Sequence, residues 1–510
     1  MSQALLQVEN LKTWFGAGPN AVRAVDGVSF EIAKGETFAL LGESGCGKSM
    51  TSLSIMRLVP QPAGHIAGGA VRINGEDVLA LPESAMRNVR GRRIAMIFQE
   101  PMTSLNPVMT VGEQIIESVL RHKSQETAAA RAQVIELLSA VGIADPQRRY
   151  DDYPHQLSGG MRQRVMIAMA LAGDPEILIA DEPTTALDVT IQAQVLELLR
   201  TLQKQRGMSI LLITHDLGVV AEMADRVAVM YAGQIVELAD RKTFFTNPQH
   251  PYTKKLFESV PTINKRGQAL AVIRGSVPSL AQEFTCCRFA SRCDWAWHEC
   301  HTRVPRWLTT EDAHGVRCHL YDSSVPQATG RSAPVDAPTP TVTESLPNGA
   351  SLLHVDALQV HFPILKGLFQ RVAGYVKAVD GVSLDIPRGR TLALVGESGC
   401  GKTTVAKGVL RLVEPTGGHV HFDNVDLLAL SKEDLRVRRR DMQIIFQDPF
   451  SSMNPRLMVR QIIEEGMLAL EVGATPQERE RRIDHLLTQV GLSPEAKQRY
   501  PHEFSGGQRQ

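Results

Sequence analysis

Long hydrophobic runs and an excess of charge of one sign are both missing from the 510-residue sequence. No apolar run approaches the ~18–20 residues that a membrane-spanning helix needs, so we expect no transmembrane helix. Lysine plus arginine and aspartate plus glutamate each number 55, which gives a net charge of zero. Such a balance provides no bulk attraction to nucleic acid or anionic lipid. The N-terminus has no basic segment followed by a long apolar core, so we predict a cytosolic chain without a secretory signal.

Cysteine is scarce, and its distribution is uneven. Two of the seven cysteines, Cys46 and Cys400, occupy equivalent glycine-rich contexts. The other five are close together in the sequence: Cys286, Cys287, Cys293, Cys300 and Cys318. An odd count with one local cluster in a cytosolic chain indicates a metal or redox site rather than a disulfide framework.

The composition is that of a soluble globular protein with more than one domain. Hydrophobic residues make up 43% and charged residues 22% of the chain, which argues against extensive disorder. A chain of this length is also too long for a single compact domain.

Several segments recur in order along the chain at a nearly constant offset. Residues 25–29 recur as 379–383, 42–48 as 396–402, 97–99 as 445–447, 153–155 as 500–502, and 158–160 as 505–507. Short motifs that match by chance do not keep such a steady spacing, so the sequence contains a duplicated domain.

The segment between the two copies is rich in proline, serine, threonine and alanine, which is typical of a flexible linker. We therefore predict four parts. They are a first domain over 1–260, a cysteine-rich extension over 261–321, a linker over 322–350 and a second domain over 351–510.

Each copy contains a complete phosphate-binding loop of the form Gly-x4-Gly-Lys-Ser/Thr. Its glycines permit a tight turn whose amides point at phosphate oxygens, its lysine adds a positive charge, and its hydroxyl ligates Mg²⁺. Apolar segments at 38–41 and 392–395 are predicted to be the strands that lead into the loops. The predicted nucleotide-binding residues are Gly42, Ser44, Gly45, Cys46, Gly47, Lys48 and Ser49 in the first copy, and Gly396, Ser398, Gly399, Cys400, Gly401, Lys402 and Thr403 in the second.

An apolar segment at 176–180 is followed by the carboxylates Asp181 and Glu182. In a parallel sheet, ligands lie at the carboxyl ends of the strands. Asp181 can then hold Mg²⁺, and Glu182 can act as the general base that polarises the attacking water. Alone, such a strand end is more often an ordinary solvated loop, but here it follows a phosphate-binding loop and precedes Asp188.

Three further side chains follow predicted strands. His215 follows the strand at 209–214, from where it can donate a hydrogen bond to the γ-phosphate. Gln99 follows the strand at 93–98, and its amide can contact Mg²⁺ or the attacking water. Gln447 is its counterpart in the second copy.

A third motif combines a predicted helix cap with two glycines. Ser158 is a plausible N-cap, and Gly159 and Gly160 allow a phosphate to approach the bare amides at the helix N-terminus. The second copy repeats the motif as Ser505, Gly506 and Gly507. By itself, Ser-Gly-Gly is common loop sequence.

In this order, the motifs resemble those of an ABC-type ATPase domain over nearly all of 5–260 and the first two-thirds of a second domain from 351. The resemblance implies an α/β fold with tandem P-loop NTPase domains, each with a RecA-like, mostly parallel sheet core and with antiparallel β and helical subdomains. It also implies that the Ser-Gly-Gly motif of one domain closes on the nucleotide in the other's loop, and that Phe15 and Phe362 stack on adenine. Met161 departs from the family's usual glutamine.

A finer resemblance, to the oligopeptide/dipeptide/nickel importer branch, rests on segments 99–107, 447–455 and 247–253. It implies an energy-coupling ATPase that uses ATP and Mg²⁺ to drive permease movement at the cytoplasmic face of the inner membrane. The implied partners are two membrane permease subunits and an extracytoplasmic substrate-binding protein, with no nucleic acid. Peptides are the expected substrate class, followed by glutathione and nickel chelates.

Two other classes of protein share part of this pattern. Soluble twin ATPases that act on ribosomes or DNA have a similar architecture, but the ribosomal ones usually have a long charged helical linker, whereas the linker here is nearly uncharged. A regulator that binds nucleotide without hydrolysing it is disfavoured, because Glu182 and His215 are both present.

The cysteine-rich extension also resembles that of many peptide-importer ATPases. Four thiolates suit either zinc or a 4Fe–4S cluster, and the resemblance favours iron–sulfur. The ligands it implies are Cys287, Cys293, Cys300 and Cys318, and Cys286 is not one of them. Reduced structural cysteines are the remaining alternative.

In the second copy, the counterparts of Asp181, Glu182 and His215 fall beyond Gln510. We therefore expect that the sequence is truncated and that the gene product continues for roughly another hundred residues. A protein ending at Gln510 is expected to be catalytically asymmetric, with a poorly folded second half.

Overall fold

The structure is a computed structural model that describes residues 4–18, 20–99, 104–122, 126–185, 187–262, 265, 273, 275–309, 314–326, 351–366, 371–397, 399–446, 452–504 and 506–509. It divides into two compact units, Met1–Val342 and Thr343–Gln510. Most of the predicted linker lies outside the described residues, as do Ser398, Gln447 and Ser505.

The described residues of the first unit form two sheets. Its strands are β1 (Ala4–Phe15), β2 (Val22–Ala33), β3 (Thr37–Leu41), β4 (Gly64–Ile73), β5 (Glu76–Asp77), β6 (Ile94–Ile97), β7 (Ile177–Asp181), β8 (Ser209–Thr214), β9 (Arg226–Tyr231), β10 (Gln234–Asp240), β11 (Leu308–Thr309) and β12 (Gly315–Val316). A four-stranded antiparallel sheet has the order β2-β1-β4-β5, and an eight-stranded sheet has the order β11-β12-β10-β9-β3-β8-β7-β6.

The middle of the eight-stranded sheet is parallel. Strand β3 pairs with β8 on one side and β9 on the other, and β7 pairs with β8 and β6. Every residue of β3, β7 and β8 is buried, which explains why these strands are continuous apolar runs without alternation. The predicted strands at 38–41, 176–181 and 209–214 are therefore present.

Helices surround this sheet. They are α1 (Lys48–Ile55), α2 (Glu83–Val89), α3 (Val111–His122), α4 (Thr127–Ala140), α5 (Pro146–Arg149), α6 (Gly159–Leu171), α7 (Val189–Arg206), α8 (Leu217–Met223), α9 (Arg241–Thr246), α10 (Pro251–Glu258) and α11 (His298–Thr302). The apolar faces of α3, α4, α6 and α7 share one core with β7 and β8. Within the described ranges, no helix is both long enough and apolar enough to cross a bilayer.

The cysteine-rich extension continues the main sheet. Strand β12 pairs with β10, and β11 pairs with β12. Glu237 of β10 is fully buried, and its carboxylate accepts hydrogen bonds from the main-chain amides of Gln249 (2.6 Å) and His250 (2.9 Å). Nε2 of His314, just before β12, lies 2.8 Å from the same carboxylate. One buried side chain thus joins segment 247–253 and the extension to the sheet.

The second unit repeats the N-terminal half of the first. Its strands are β13 (Ser351–Lys366), β14 (Arg371–Pro387), β15 (Gly417–Phe422) and β16 (Val425–Asp426), in the order β14-β13-β15-β16. Its helices are α12 (Lys402–Val409), α13 (Lys432–Arg438), α14 (Val459–Ala469), α15 (Pro476–Gln489) and α16 (Gly506–Arg509).

The predicted strand at 392–395 is wrong. These residues have no regular secondary structure, and Leu392, Leu394 and Val395 are 46%, 47% and 87% exposed. In the first unit, β3 obtains its hydrogen-bond partners from β8 and β9, which come later in the chain. The described part of the second unit contains no counterparts of those two strands. An apolar segment without neighbours on either side cannot form a parallel strand.

Candidate active site

The first phosphate-binding loop joins β3 to α1, and its glycines are required by its shape. Gly47 has a φ of +105°, and a Cβ at this position would collide with the carbonyl oxygen of Ala24. A Cβ at Gly42 would collide with the carbonyl oxygen of Met230. Only glycine fits where the loop passes this close to neighbouring backbone.

Lys48, the first residue of α1, holds the loop together. Its side chain is buried, and Nζ donates hydrogen bonds to the carbonyl oxygens of Gly42 (2.8 Å) and Glu43 (2.9 Å). The ammonium group therefore lies on the inner side of the loop, beside the amides that would face phosphate oxygens.

Ser49 and Asp181 link the loop to the end of β7. Ser49 Oγ donates a hydrogen bond of 3.1 Å to Oδ1 of Asp181, which is buried. Burial raises the pKa of Asp181 to about 6, and the Ser49 hydrogen bond only partly offsets this effect. A hydroxyl and a carboxylate are oxygen ligands of the kind that Mg²⁺ prefers, and a cation between them would stabilise the buried charge. These two residues fit a magnesium ion.

Glu182 is at the centre of a hydrogen-bond network. Oε1 lies 3.0 Å from Nδ1 of His215, while Oε2 accepts hydrogen bonds from Nε2 of Gln99 and Oγ1 of Thr185, both at 2.9 Å. Burial alone would raise the pKa of Glu182, but hydrogen bonds from His215 and Thr185 lower it to about 2. The same contact with Glu182 raises the pKa of His215. The carboxylate is therefore ionised and oriented at neutral pH.

The sheet brings these residues to one edge. Asp181 is paired with Ile213, and Leu41 is paired with Thr214, so β3, β7 and β8 end side by side. The main-chain amide of Glu182 donates a hydrogen bond of 2.8 Å to the carbonyl oxygen of Ile213. The carboxyl ends of adjacent parallel strands thus place the loop, both carboxylates and His215 together.

The motif at 158–160 forms a helix start as expected. Ser158 is the N-cap of α6, and its Oγ accepts a hydrogen bond of 3.3 Å from the amide of Met161. Asp188 likewise is an N-cap: it begins α7 by accepting a hydrogen bond from the amide of Ile191.

In the second unit, Gly506 and Gly507 begin α16. The two aromatic residues expected to stack on adenine lie on strands. Phe15 is half-buried at the end of β1, and Phe362 is 41% exposed on β13.

The described residues of the second phosphate-binding loop repeat the lysine contacts and the left-handed glycine of the first. Nζ of Lys402 donates hydrogen bonds to the carbonyl oxygens of Gly396 (2.7 Å) and Glu397 (2.6 Å), and Gly401 has a φ of +99°. Thr403 is exposed. Its counterpart in the first loop, Ser49, donates a hydrogen bond to Asp181.

The four cysteines expected to bind a metal line one small cavity, together with Phe289, Trp295 and Trp297. Burial raises the pKa of Cys287 and Cys318 to about 12 and that of Cys293 to about 11. No group of three histidine, cysteine or acidic side chains within the described residues is placed to hold a metal ion. The described residues therefore do not support the expectation that these cysteines bind an iron–sulfur cluster.

Three residues near the site were not identified from the sequence. Thr185 contacts Glu182, and both Tyr252 and Arg292 contact Glu43 in the first loop. Thr185 could have been predicted, because it lies in the segment that directly follows Glu182 in the sequence. Nothing in the sequence pattern links Arg292 to a loop so far away in the chain.

The geometry defines the class of protein: a P-loop ATPase with a phosphate-binding loop and a carboxylate-centred site at one sheet edge. The ABC transporter family model matches residues 25–185 and 379–510, and that of the oligopeptide/dipeptide transporter C-terminal region matches 236–300. The chain therefore belongs to the ABC transporter family, as an energy-coupling subunit of an importer that hydrolyses ATP and uses Mg²⁺.

Its relatives cover nearly the whole chain. It is 45% identical to a glutathione import ATP-binding protein of Pectobacterium atrosepticum, covering 99% of this chain and 74% of that protein. It is 43% identical to a peptidoglycan transport ATP-binding protein of Agrobacterium fabrum, covering 100% and 79%. It is 42% identical to an oligopeptide transport ATP-binding protein of Mycobacterium tuberculosis, covering 99% and 82%. The predictions of tandem ABC ATPase domains and of an importer ATPase are thus confirmed.

Proposed function

We propose that Mg·ATP binds to the first phosphate-binding loop and that Glu182 is the general base for its hydrolysis. The observation that carries this proposal is the position of Glu182. Three side chains orient its carboxylate, and it directly follows Asp181, which accepts a hydrogen bond from the loop residue Ser49. A fixed, ionised carboxylate beside the metal ligands can accept the proton of the attacking water.

The neighbouring residues have separate roles in this proposal. Lys48 binds phosphate oxygens, while Ser49, Asp181 and Gln99 hold Mg²⁺. When bound, that ion neutralises the charge that develops on the phosphoryl oxygens. His215 orients Glu182 and donates to the γ-phosphate. Lys402 and Thr403 of the second loop bind a second Mg·ATP with Gln447.

Nucleotide binding by the first loop has a direct test. In a Lys402→Ala background, Lys48→Ala should abolish binding of a fluorescent ATP analogue in the presence of Mg²⁺. Lys34→Ala removes an exposed lysine outside the loop and should leave that binding unchanged. Binding at parental affinity by the Lys48→Ala protein would contradict the assignment of the site.

The proposed cargo is a peptide, with glutathione and nickel chelates as alternatives. The support comes from the names of the relatives, which include glutathione and oligopeptide transport proteins, and from the match at 236–300. The proposed partners are two permease subunits and an extracytoplasmic substrate-binding protein, with this chain at the cytoplasmic face of the inner membrane. In proteoliposomes with those partners, ATP hydrolysis should be stimulated by short peptides more than by nickel chelates.

A separate proposal is that the cysteine-rich extension binds an iron–sulfur cluster or zinc. Its support is the chemistry of the donor set, because four thiols around one cavity, two of them buried, can be deprotonated when they bind iron or zinc. The proposed ligands are Cys287, Cys293, Cys300 and Cys318. Anaerobic purification should give stoichiometric iron and acid-labile sulfide. A metal-free protein would contradict the proposal, and stoichiometric zinc would replace iron–sulfur with zinc.

A further inference from the structure

Glu43 is the second residue of the first phosphate-binding loop, and three contacts hold it. Its main-chain amide donates a hydrogen bond of 3.0 Å to the hydroxyl of Tyr252, and its carbonyl oxygen accepts one from Lys48. Its carboxylate forms a two-point ion pair with Arg292. Nη1 lies 3.0 Å from Oε2, and Nη2 lies 3.2 Å from Oε1. The backbone and the side chain of this loop residue are thus both fixed from outside the loop.

Arg292 is itself held rigidly. It is the last residue of a short 3₁₀ helix (Ala290–Arg292) in the cysteine-rich extension, and its side chain is only 5% exposed. Nη1 also donates to the hydroxyl of Tyr231 at 3.3 Å, and the main-chain carbonyl accepts from Nζ of Lys255 at 3.3 Å. A planar guanidinium group that makes two parallel hydrogen bonds fixes a carboxylate in direction as well as in distance.

The position of this ion pair matters for nucleotide binding. The loop must point its amides at phosphate oxygens, and the carbonyl of Glu43 is one of the two that Lys48 contacts. A change in the Glu43 backbone would therefore move both an amide and the lysine. Small displacements of groups that bind a ligand lower affinity, because the ligand must then pay the cost of ordering them.

We propose that Arg292 is a positioning residue for the first phosphate-binding loop, through which the cysteine-rich extension sets the affinity of that loop for Mg·ATP. This inference rests on the proposed function, since it requires that the loop binds nucleotide.

The test measures binding of a fluorescent ATP analogue with Mg²⁺ to the full chain in a Lys402→Ala background. Arg292→Gln should weaken binding about tenfold, within the usual range for coupling between two sites. The affinity of Arg292→Lys should lie between that of the parent and that of Arg292→Gln, because lysine keeps the charge but not the two-point geometry. Arg303→Gln removes an exposed arginine of the same extension that pairs with Glu299, and should leave affinity unchanged.

A double-mutant cycle separates positioning from general damage to the fold. Because Arg292 and Glu43 act together, the combined Glu43→Gln and Arg292→Gln protein should bind no more weakly than Arg292→Gln alone. In hydrolysis assays, Arg292→Gln should raise KM for ATP about tenfold while kcat stays within about twofold of the parent. Arg292→Lys reports on the same contact if the glutamine variant fails to fold.

The outcomes also separate this inference from the function on which it rests. Affinity within about twofold of the parent for both Arg292 variants, or additive losses in the double mutant, would overturn the positioning role. If Lys48→Ala in the same background binds as tightly as the parent, the first loop is not the nucleotide site, and the proposed function itself fails.

Discussion

His215 and Glu182 form a close pair, with 3.0 Å between Nδ1 and Oε1. The other carboxylate oxygen, Oε2, is contacted by Gln99 and Thr185. Each oxygen of the carboxylate thus has its own donors, and the group cannot rotate without losing at least one hydrogen bond. This arrangement orients Glu182 through His215, whose contact with the γ-phosphate is a separate proposal.

Replacement of His215 by alanine should therefore slow hydrolysis more than it weakens binding. Loss of one well-placed donor typically lowers kcat by about 10²–10³-fold, and we expect a decrease of this size. ATP affinity should change little, because Lys48 and the loop amides remain. Single-turnover hydrolysis with radiolabelled ATP measures the first quantity, and equilibrium binding measures the second.

His65→Ala is the matched control, since His65 is an exposed histidine on β4. It should hydrolyse ATP at the parental rate. A His215→Ala protein that is equally active would show that the contact with Glu182 has no part in catalysis.

The shape of the first loop gives a second prediction. Gly47→Ala should abolish binding of Mg·ATP to this loop. An alanine here would have to adopt a φ of +105°, and its Cβ would collide with the carbonyl oxygen of Ala24. Gly207 also has a positive φ, at the end of α7, but a Cβ there meets nothing within 4 Å. Gly207→Ala should lower stability by about 1 kcal/mol and leave ATP affinity unchanged. Calorimetric titration with ATP and Mg²⁺ in a Lys402→Ala background decides the matter, and parental affinity in Gly47→Ala would refute the steric argument.

Glu237 gives a third prediction, which concerns stability. The buried carboxylate accepts main-chain hydrogen bonds from Gln249 and His250, and Nε2 of His314 lies 2.8 Å from it. In Glu237→Gln, one of the two carboxylate oxygens becomes an NH₂ group, which cannot accept a hydrogen bond from a main-chain amide. We expect a loss of about 2–4 kcal/mol in the free energy of unfolding at pH 7. Glu222→Gln, which removes an exposed carboxylate that pairs with Arg200, should cost less than about 1 kcal/mol.

The same carboxylate predicts a pH dependence. Burial alone would raise the pKa of Glu237, but hydrogen bonds from His314 and the amides lower it below the ordinary value of 4.5. The stabilisation is therefore complete above that value and is lost as the pH falls through the lower pKa of the folded state. Below about pH 4.5, urea unfolding of the parent should lose stability more steeply than Glu237→Gln does. Equal slopes would contradict this assignment.

Much of the candidate site could be predicted from the sequence, because its parts are local patterns. The loop at 42–49, the carboxylates at 181–182 and His215 each follow a short apolar strand, and parallel strands end at a common edge. The capping role of Ser158 was likewise readable from the residues beside it. The functions assigned to these residues stay predictions, although the structure brings Gln99, Asp181, Glu182 and His215 together.

The rest depended on packing between distant segments. The ion pair between Glu43 and Arg292 is created by the way the extension folds against the sheet, and no local pattern encodes it. The segment 392–395 shows the opposite case. Its sequence is as apolar as that of β3, but a strand also needs neighbours, and the described part of the second unit does not provide them.

The central claim is that Glu182 is the base that hydrolyses ATP bound to the first loop. The most direct measurement is single-turnover hydrolysis of Mg·ATP by Glu182→Gln, compared with its parent, both in a Lys402→Ala background. Glutamine keeps the shape of the side chain but cannot accept the proton of the attacking water. We predict a rate about 10²–10⁴-fold lower, with ATP affinity within about threefold of the parent. Hydrolysis by Glu182→Gln at the parental rate would contradict the account.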